Sequence, residues 1–271
     1  MARKRAQAGK KKRAKQAPAL SPKTWEAWLE FVRQRARLSI YFCLFLTGAL
    51  GLRCGEAVVA EGEDFALDAE TPNMKVTGKE KGGQKSPGTV YVPKASLTII
   101  RKCFTTGLTV TRQITAKNGC TKKKKETFKA KKTGFIFPSR KGATKKHMTY
   151  QTVYNVVRKL APKFAQHLKA SSAKHDAAVL RAIRPHSGRA TFITQLMTSG
   201  MTLAHTMKAA RHAPESVRVH LRYGQLTLQD VCNAMDKSSE HHKTMQDMTA
   251  KELRNTIGKA KTELRRRGLT C

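Results

Sequence analysis

Residues 184–223 read RPHSGRATFITQLMTSGMTLAHTMKAARHAPESVRVHLRY, and the interpretation of the whole chain starts from this stretch. It contains His186 and Arg189 in an H-x-x-R motif, followed by His212 and Tyr223. Side chains three residues apart share a helix face, so His186 and Arg189 can act on one ligand. Two imidazoles, a guanidinium and a phenol suit a single phosphate diester. The tyrosine would attack phosphorus while the basic groups hold the non-bridging oxygens.

An upstream stretch supplies a second arginine. Residues 46–68 read LTGALGLRCGEAVVAEGEDFALD, with Arg53 directly after a Gly-Leu step and Glu56 three residues later. A charged side chain at the end of an apolar helix is costly unless an anion meets it. An ion pair between Arg53 and Glu56 is the structural interpretation, and a phosphate contact by Arg53 is the functional one. Residues 74–93, MKVTGKEKGGQKSPGTVYVP, then predict two short strands around a turn rich in lysine and glycine.

Together these segments resemble the catalytic domain of the tyrosine recombinases, the phage integrase family, over about residues 22–236. That family has an arginine, a hairpin lysine, H-x-x-R, a histidine or tryptophan, and a tyrosine in this order. The matching residues here are Arg53, Lys79, His186, Arg189, His212 and Tyr223. The resemblance implies an α+β fold, mainly α with a small antiparallel β-sheet, known as the DNA breaking-rejoining enzyme fold.

The resemblance also implies a role for each residue. Tyr223 would attack phosphorus and form a 3′-phosphotyrosyl bond, and a lysine on the hairpin would protonate the leaving 5′ oxygen. The two arginines would direct guanidinium forks at the non-bridging oxygens, because a fork matches phosphate geometry better than a lysine does. His186 would accept the tyrosine proton and His212 would donate a hydrogen bond to the phosphate. No cofactor and no metal is expected.

The charge of the chain predicts a nucleic-acid partner. The 271 residues include 54 Lys and Arg against 18 Asp and Glu, a formal net charge of +36. Each cation placed on a phosphate releases a counterion, so double-stranded DNA is the expected partner. The resemblance adds a homo-oligomer, a tetramer on DNA. The expected DNA-binding residues outside the catalytic set are Lys81, Lys85, Lys122, Lys123, Lys124, Arg218 and Arg222.

Cysteine spacing and hydropathy indicate in which cellular compartment the protein is expected. None of the six cysteines forms a C-x-x-C pair, which favours a reduced intracellular setting. The apolar run at 40–52 is too short to span a membrane and predicts a buried helix. The basic segment 1–20 predicts a solvated phosphate-binding arm, a nuclear localisation signal, or both. The expected location is nuclear in a eukaryote and cytoplasmic otherwise.

The chain divides into three predicted regions. Residues 1–20 are expected to be a disordered basic tail, 21–240 the catalytic domain, and 241–271 a charged helical tail. Residues 107–133 are polar and rich in lysine, and they predict a flexible basic insertion. Family members usually carry a helical DNA-clamping domain before the catalytic one. The chain is therefore expected to be a fragment, to clamp DNA by other means, or to be a degenerate relative.

A first helix is expected to begin at Ser21-Pro22, and further helices at about 38–50, 94–105, 149–169, 187–199, 202–210, 214–222 and 227–235, with strands near 74–78 and 89–92.

Several functions remain open at this point. The first is a recombinase or integrase that cleaves and rejoins DNA. The second is a type IB topoisomerase-like enzyme with the same chemistry but a different outcome. The third is a DNA-binding protein that descends from a mobile element and has lost catalysis. A generic basic structural protein shares the composition, but the ordered motifs argue against it.

Overall fold

The computed structural model describes residues 17–77, 87–115, 121–139, 146–171 and 177–212. These residues belong to one compact unit within Met1–Gly224.

Eight α-helices are present among the described residues. They are α1 (Pro22–Arg35), α2 (Leu38–Ala49), α3 (Cys54–Val58), α4 (Lys94–Thr105), α5 (Tyr150–Ser171), α6 (Ala177–Arg181), α7 (Ser187–Thr198) and α8 (Leu203–Ala209), with a 3₁₀ turn at Gly62–Asp64.

Two small antiparallel sheets accompany the helices. Strands β1 (Phe65–Ala66), β2 (Asn73–Thr77) and β3 (Pro87–Tyr91) form the first, in the order β1-β2-β3. Strands β4 (Leu108–Thr115) and β5 (Thr121–Phe128) form the second. The predicted class, mainly α with a small antiparallel β-sheet, is therefore confirmed, and so are the two strands expected around the lysine-rich turn.

Helix α2 is the centre of the core. It is apolar on most of its faces, and α1, α3, α7 and the β4–β5 hairpin all contact it. Helix α1 starts where the sequence predicts. Ser21 caps it by accepting the Thr24 N–H at 3.2 Å, and Pro22 occupies the first turn, where a missing N–H costs nothing.

Glycines allow helix α7 to pack closely against α1 and α2. A Cβ added at Gly188 would lie 2.2 Å from Thr47 Oγ1 and 2.9 Å from the Trp25 ring. A Cβ added at Gly48 would also meet that ring, at 2.2 Å. Because Gly188 directly precedes Arg189, this packing sets the position of the H-x-x-R motif.

The segment 107–133 differs from the prediction. It is not an unpatterned flexible insertion, because strands β4 and β5 pair with Leu108 opposite Phe128 and Val110 opposite Glu126. Leu108 and Val110 are buried. Arg112 pairs with Glu126 and donates to the carbonyls of Arg33 and Ala36, while Glu126 accepts the Leu38 N–H at 2.8 Å. Buried apolar residues and these polar contacts hold the hairpin against the α1–α2 turn.

The start of the core also differs from the predicted tail boundary. Leu20 is buried, and its N–H donates to Thr191 Oγ1 at 2.9 Å, so ordered packing begins before Ser21. Residues 1–16 lie outside the described part of the chain. The helices predicted at 214–222 and 227–235 and the helical tail 241–271 lie outside it as well.

Candidate functional site

Arg53 is positioned by a tight turn after helix α2. Gly51 has φ +64°, a left-handed conformation that strongly favours glycine. A Cβ there would also lie 2.4 Å from the Phe192 ring. Two residues later Arg53 caps α3, and its side chain remains 41% exposed. The Gly-Leu-Arg step of the sequence is thus a turn that presents an arginine at the surface.

Glu56 is the acidic centre of the site. Its carboxylate accepts the Arg53 backbone N–H and the Arg53 guanidinium, both at 2.7 Å, and Arg211 Nη2 at 2.5 Å. The residue is only 7% exposed. The structural interpretation of the Arg53–Glu56 pair is therefore correct. One carboxylate shared by two guanidiniums leaves this trio of residues with net positive charge.

Arg189 links the turn before Arg53 to the residue before Arg211. It is 2% exposed, and its Nη1 and Nη2 groups donate to the carbonyls of Gly51 and Ala210. These carbonyls belong to the turn before Arg53 and to the residue before Arg211. In this arrangement Arg189 holds backbone segments together. Because each Nη group carries two N–H groups, these bonds do not by themselves exclude a phosphate contact, but the burial of Arg189 separates its guanidinium from the surface.

His186 lies at the start of helix α7 and is partly buried. Burial lowers the pKa of the imidazole, because removal from water disfavours its charged form. The positive charges of Arg189 and Arg53 lower the pKa further, and Glu56 opposes them. The neutral form, which can accept a proton, is therefore favoured. The ring of Tyr150 lies 6.1 Å from the imidazole between centroids.

Arg211 and His212 follow helix α8 and complete the described part of the site. The His212 N–H donates to the Met207 carbonyl at 2.9 Å. Arg211 has φ +52°, unusual for a residue with a side chain, and its side chain is 14% exposed. Sequence reasoning missed Arg211. The available signal was a cation directly before His212 in the sequence.

The structure brings several predicted site residues together. Arg53 and His186 lie near each other, as the effect on the His186 pKa indicates, and Arg189 links the turn before Arg53 to Ala210, two residues before His212. Other candidates fall outside the described residues, namely Lys79, Lys81, Lys85, Arg218, Arg222 and Tyr223.

The remaining predicted DNA-binding residues lie on strand β5. Lys123 and Lys124 are exposed, as is Lys125, and Lys122 pairs with Ile114 through the backbone. Because side chains alternate along a strand, Lys123 and Lys125 share one face, and Lys124 is on the face of Glu126. The prediction placed these lysines in a flexible insertion, whereas the structure places them on a strand, where Lys125 shares the outer face with Lys123.

A cation-rimmed recess lies next to the H-x-x-R motif. Its volume is about 190 Å³, and its lining includes Tyr154, Arg158, Arg181, Arg184 and Pro185. Within the part of the chain that the structure describes, no three His, Cys, Asp or Glu side chains gather closely enough to hold a metal ion. None of the described helices is both long and apolar enough to cross a lipid bilayer.

Comparison with known proteins places the architecture in one class. The described residues have the fold of a tyrosine recombinase catalytic domain. The integrase of transposon Tn1549, solved in complex with transposon right end DNA, matches at 14% identity and a TM-score of 0.51, over 84% of this chain and 68% of that one. XerA recombinase matches at 16% identity and a TM-score of 0.50, over 83% and 66%.

The integrase of mycobacterium phage Brujita also matches, at 19% identity and a TM-score of 0.45, over 79% of this chain. This chain thus spans 57–68% of the length of these three proteins. No protein-family model and no curated protein sequence matches the chain.

Proposed function

We propose that the protein cleaves and rejoins DNA through a 3′-phosphotyrosyl intermediate, as a site-specific recombinase or integrase. The observation that carries the proposal is the cluster of Arg53, His186, Arg189 and Arg211 around the buried Glu56. These residues come from three separate segments, and the cluster combines an exposed guanidinium with an imidazole whose pKa is lowered. The recombinase fold supports the same function.

The proposed reaction proceeds by direct displacement at phosphorus. A bond forms between Tyr223 Oη and phosphorus, and the bond from phosphorus to the 5′ oxygen breaks. His186 accepts the proton of the phenol as it attacks, and Lys79 gives a proton to the leaving 5′ oxygen. Rejoining reverses these steps, with a 5′-hydroxyl attacking the phosphotyrosyl bond. Proton transfers and fixed cations suffice for this scheme, so the proposal requires no metal ion.

The exposed guanidinium of Arg53 is proposed to stabilise the transition state. Arg53 makes the first contact with the non-bridging oxygens, and His212 donates a further hydrogen bond. Arg189 supports both by fixing the backbone at Gly51 and Ala210. Removal of one donor to a developing oxyanion typically costs about 2.7–4 kcal/mol of transition-state stabilisation. These groups therefore account for a large part of the proposed catalysis.

Double-stranded DNA is the proposed partner. The net charge of +36 and the exposed lysines of strand β5 support it, and the Tn1549 integrase was solved on DNA. Lys81, Lys85, Arg218 and Arg222 are proposed to add phosphate contacts beside the catalytic residues. A tetramer on DNA is the proposed assembly. The basic segment 1–20 is proposed to bind phosphates and to act as a nuclear signal in a eukaryotic cell.

A nicked suicide substrate tests this function. Release of a short 5′ fragment prevents rejoining, so a covalent protein–DNA adduct accumulates and is seen on a denaturing gel. We expect adduct with wild-type protein in the presence or absence of a chelator. Exchange of strands between two duplexes identifies a recombinase. Relaxation of a supercoiled plasmid without exchange identifies the topoisomerase-like alternative.

A second candidate is a DNA-binding protein without catalysis. The burial of Arg189 favours it, because a guanidinium that the reaction would employ lies away from the surface and binds two backbone carbonyls. DNA binding without adduct on nicked and branched substrates over a range of salt concentrations would select this candidate.

A further inference from the structure

Arg211 has two features that bear on its role. Its guanidinium is mostly buried, with the Nη2 group on Glu56 at 2.5 Å. Its Nη1 group is buried and has no hydrogen-bond partner among the described residues. Its left-handed backbone, φ +52°, belongs to the end of α8, where the N–H groups of Arg211 and His212 donate to the carbonyls of Lys208 and Met207. A buried donor without a partner calls for an explanation.

The surroundings place this donor in the candidate site. Glu56, which accepts from Arg211, also accepts from Arg53, so one carboxylate holds both guanidiniums side by side. On another side Arg211 approaches β3, where a Cβ added at Gly88 would lie 3.0 Å from Arg211 Cδ. Strand β3 pairs with β2, and the segment between these strands carries Lys79. Arg211 therefore lies between Arg53 and the sheet that carries the proposed general acid.

The charge of the cluster identifies the chemistry of the missing partner. Two guanidiniums share one carboxylate, and Arg189 and His186 lie close to it. Burial lowers the pKa of Arg211, and so does the nearby Arg53, while Glu56 opposes both. An additional anion would neutralise the surplus positive charge and accept from Nη1. A phosphate oxygen meets both requirements, since guanidinium groups bind phosphate with charge-assisted hydrogen bonds.

We propose that Arg211 is a third arginine of the site and that its Nη1 group donates to a phosphate oxygen of bound DNA. The identity of the anion as a DNA phosphate rests on the proposed function. Glu56 sets the spacing between Arg53 and Arg211, so that both guanidiniums meet the same phosphate. The cap that ends α8 places Arg211 beside Glu56.

The test measures DNA binding without chemistry. In a Tyr223→Phe background, the affinity for a nicked duplex is measured over a range of salt concentrations. Arg211→Asn removes the charge but tolerates the left-handed backbone. We expect its affinity to fall at least about tenfold and the slope of log affinity against log salt to lose about 0.9. The control Arg101→Asn removes an arginine of α4 that pairs with Asp68, and it should leave the affinity and the salt slope unchanged.

A second variant keeps the test informative if Arg211→Asn fails to fold. Arg211→Lys keeps the charge but has one nitrogen in place of the two Nη groups, so it cannot bind Glu56 and a phosphate at the same time. We therefore expect a normal salt slope and a severalfold loss of affinity. Unchanged affinity and slope in a folded Arg211→Asn protein, or unchanged affinity in Arg211→Lys, would overturn the proposal. Absence of any binding by the Tyr223→Phe protein would overturn it too. Because no cleavage is measured, the proposal survives if wild-type protein binds DNA but forms no adduct.

Discussion

Glu56 sets the geometry of the site at the scale of single residues. It is nearly buried, and its two oxygens accept from Arg53 and Arg211. A buried carboxylate is expensive unless its lone pairs are satisfied, and here two guanidiniums and a backbone N–H satisfy them. Removal of the charge would leave Arg211 without its anion in a mostly buried position.

Glu56→Gln tests this arrangement through folding. We expect the free energy of unfolding to fall by about 3 kcal/mol, because breaking a buried ion pair leaves a charge without compensation. Chemical denaturation followed by circular dichroism measures the loss. Asp68→Asn is the matched control, since Asp68 is exposed and pairs with Arg101 at the surface. That change should cost less than about 1 kcal/mol. Equal effects of the two substitutions would contradict the role given to Glu56.

His186 provides a second prediction for a single residue. Its pKa should lie below 6.5, because burial and the charges of Arg189 and Arg53 favour the neutral imidazole. Arg53→Gln should raise this pKa toward 6.5 by removing one positive charge. Titration of the histidine resonances by NMR measures both values, with Arg101→Gln as a control that should leave the pKa of His186 unchanged.

The same shift has a consequence for stability and for rate. The unfolded chain binds the His186 proton more tightly than the folded one, so the free energy of unfolding should decrease as the pH falls through 6.5. Cleavage that depends on neutral His186 should persist below pH 6.5 and decline as the imidazole becomes protonated. A pKa for His186 above 6.5 in the folded protein would contradict both expectations.

Helix packing connects the residues of the site at the next scale. Gly188 lies between His186 and Arg189 on α7 and allows that helix to approach Thr47 and Trp25. A side chain at this position would push α7 away from α2. The carbonyl of Gly51, which Arg189 binds, would then move out of reach. The motif thus contains a packing residue as well as chemical ones.

Gly188→Ala tests this coupling. The added methyl group meets Thr47 Oγ1 at 2.2 Å, so we expect a loss of about 1–3 kcal/mol in the free energy of unfolding. The control is Gly55→Ala on α3, where a Cβ meets nothing within 4 Å and alanine favours a helix. Thermal denaturation compares the two. A Gly188→Ala protein as stable as Gly55→Ala would show that this close approach is not required.

The sequence predicts elements well where an apolar face dominates. Helix α1 has its capping serine and proline, so its start is found correctly, and α2 is an unbroken apolar run, so both of its ends are found within a residue. Strand β5, in contrast, reads TKKKKETF and has no alternation of apolar and polar residues. Its inward residue Glu126 is compensated by Arg112 and by the Leu38 N–H, contacts from other elements that no local pattern reveals.

Residue roles show the same division. The order of Arg53, His186, Arg189 and His212 is readable in the sequence, and the structure assembles the segments that carry them. The burial of Arg189 cannot be predicted from the sequence, because the residue type does not distinguish an arginine that binds backbone carbonyls from one that binds phosphate. The role proposed for Arg211 depends on its contact with Glu56, a residue 155 positions away that no local pattern reveals.

Charge acts on the molecule as a whole. The net charge of +36 supports the proposed binding to DNA, and strand β5 supplies exposed lysines. We expect the double substitution Lys123→Ala and Lys125→Ala to lower the salt slope of DNA binding by up to about 1.8, or 0.9 per lost phosphate contact. Removal of Lys94 and Lys102 on α4 makes an equal change in net charge. Equal slopes for the two variants would contradict a specific DNA contact by the hairpin.

Identification of the residue that becomes attached to DNA tests whether Tyr223 is the nucleophile. Wild-type protein is trapped on a nicked suicide substrate, digested, and analysed by mass spectrometry. We expect one adduct, on the peptide that contains Tyr223. We also expect no adduct for Tyr223→Phe, which should still fold and bind DNA, and cleavage at least ~100-fold slower for Arg53→Ala, which removes the guanidinium proposed to contact the phosphate. DNA attached to Tyr150 or Tyr154, adduct that persists in Tyr223→Phe, or no adduct from wild-type protein would contradict this role of Tyr223.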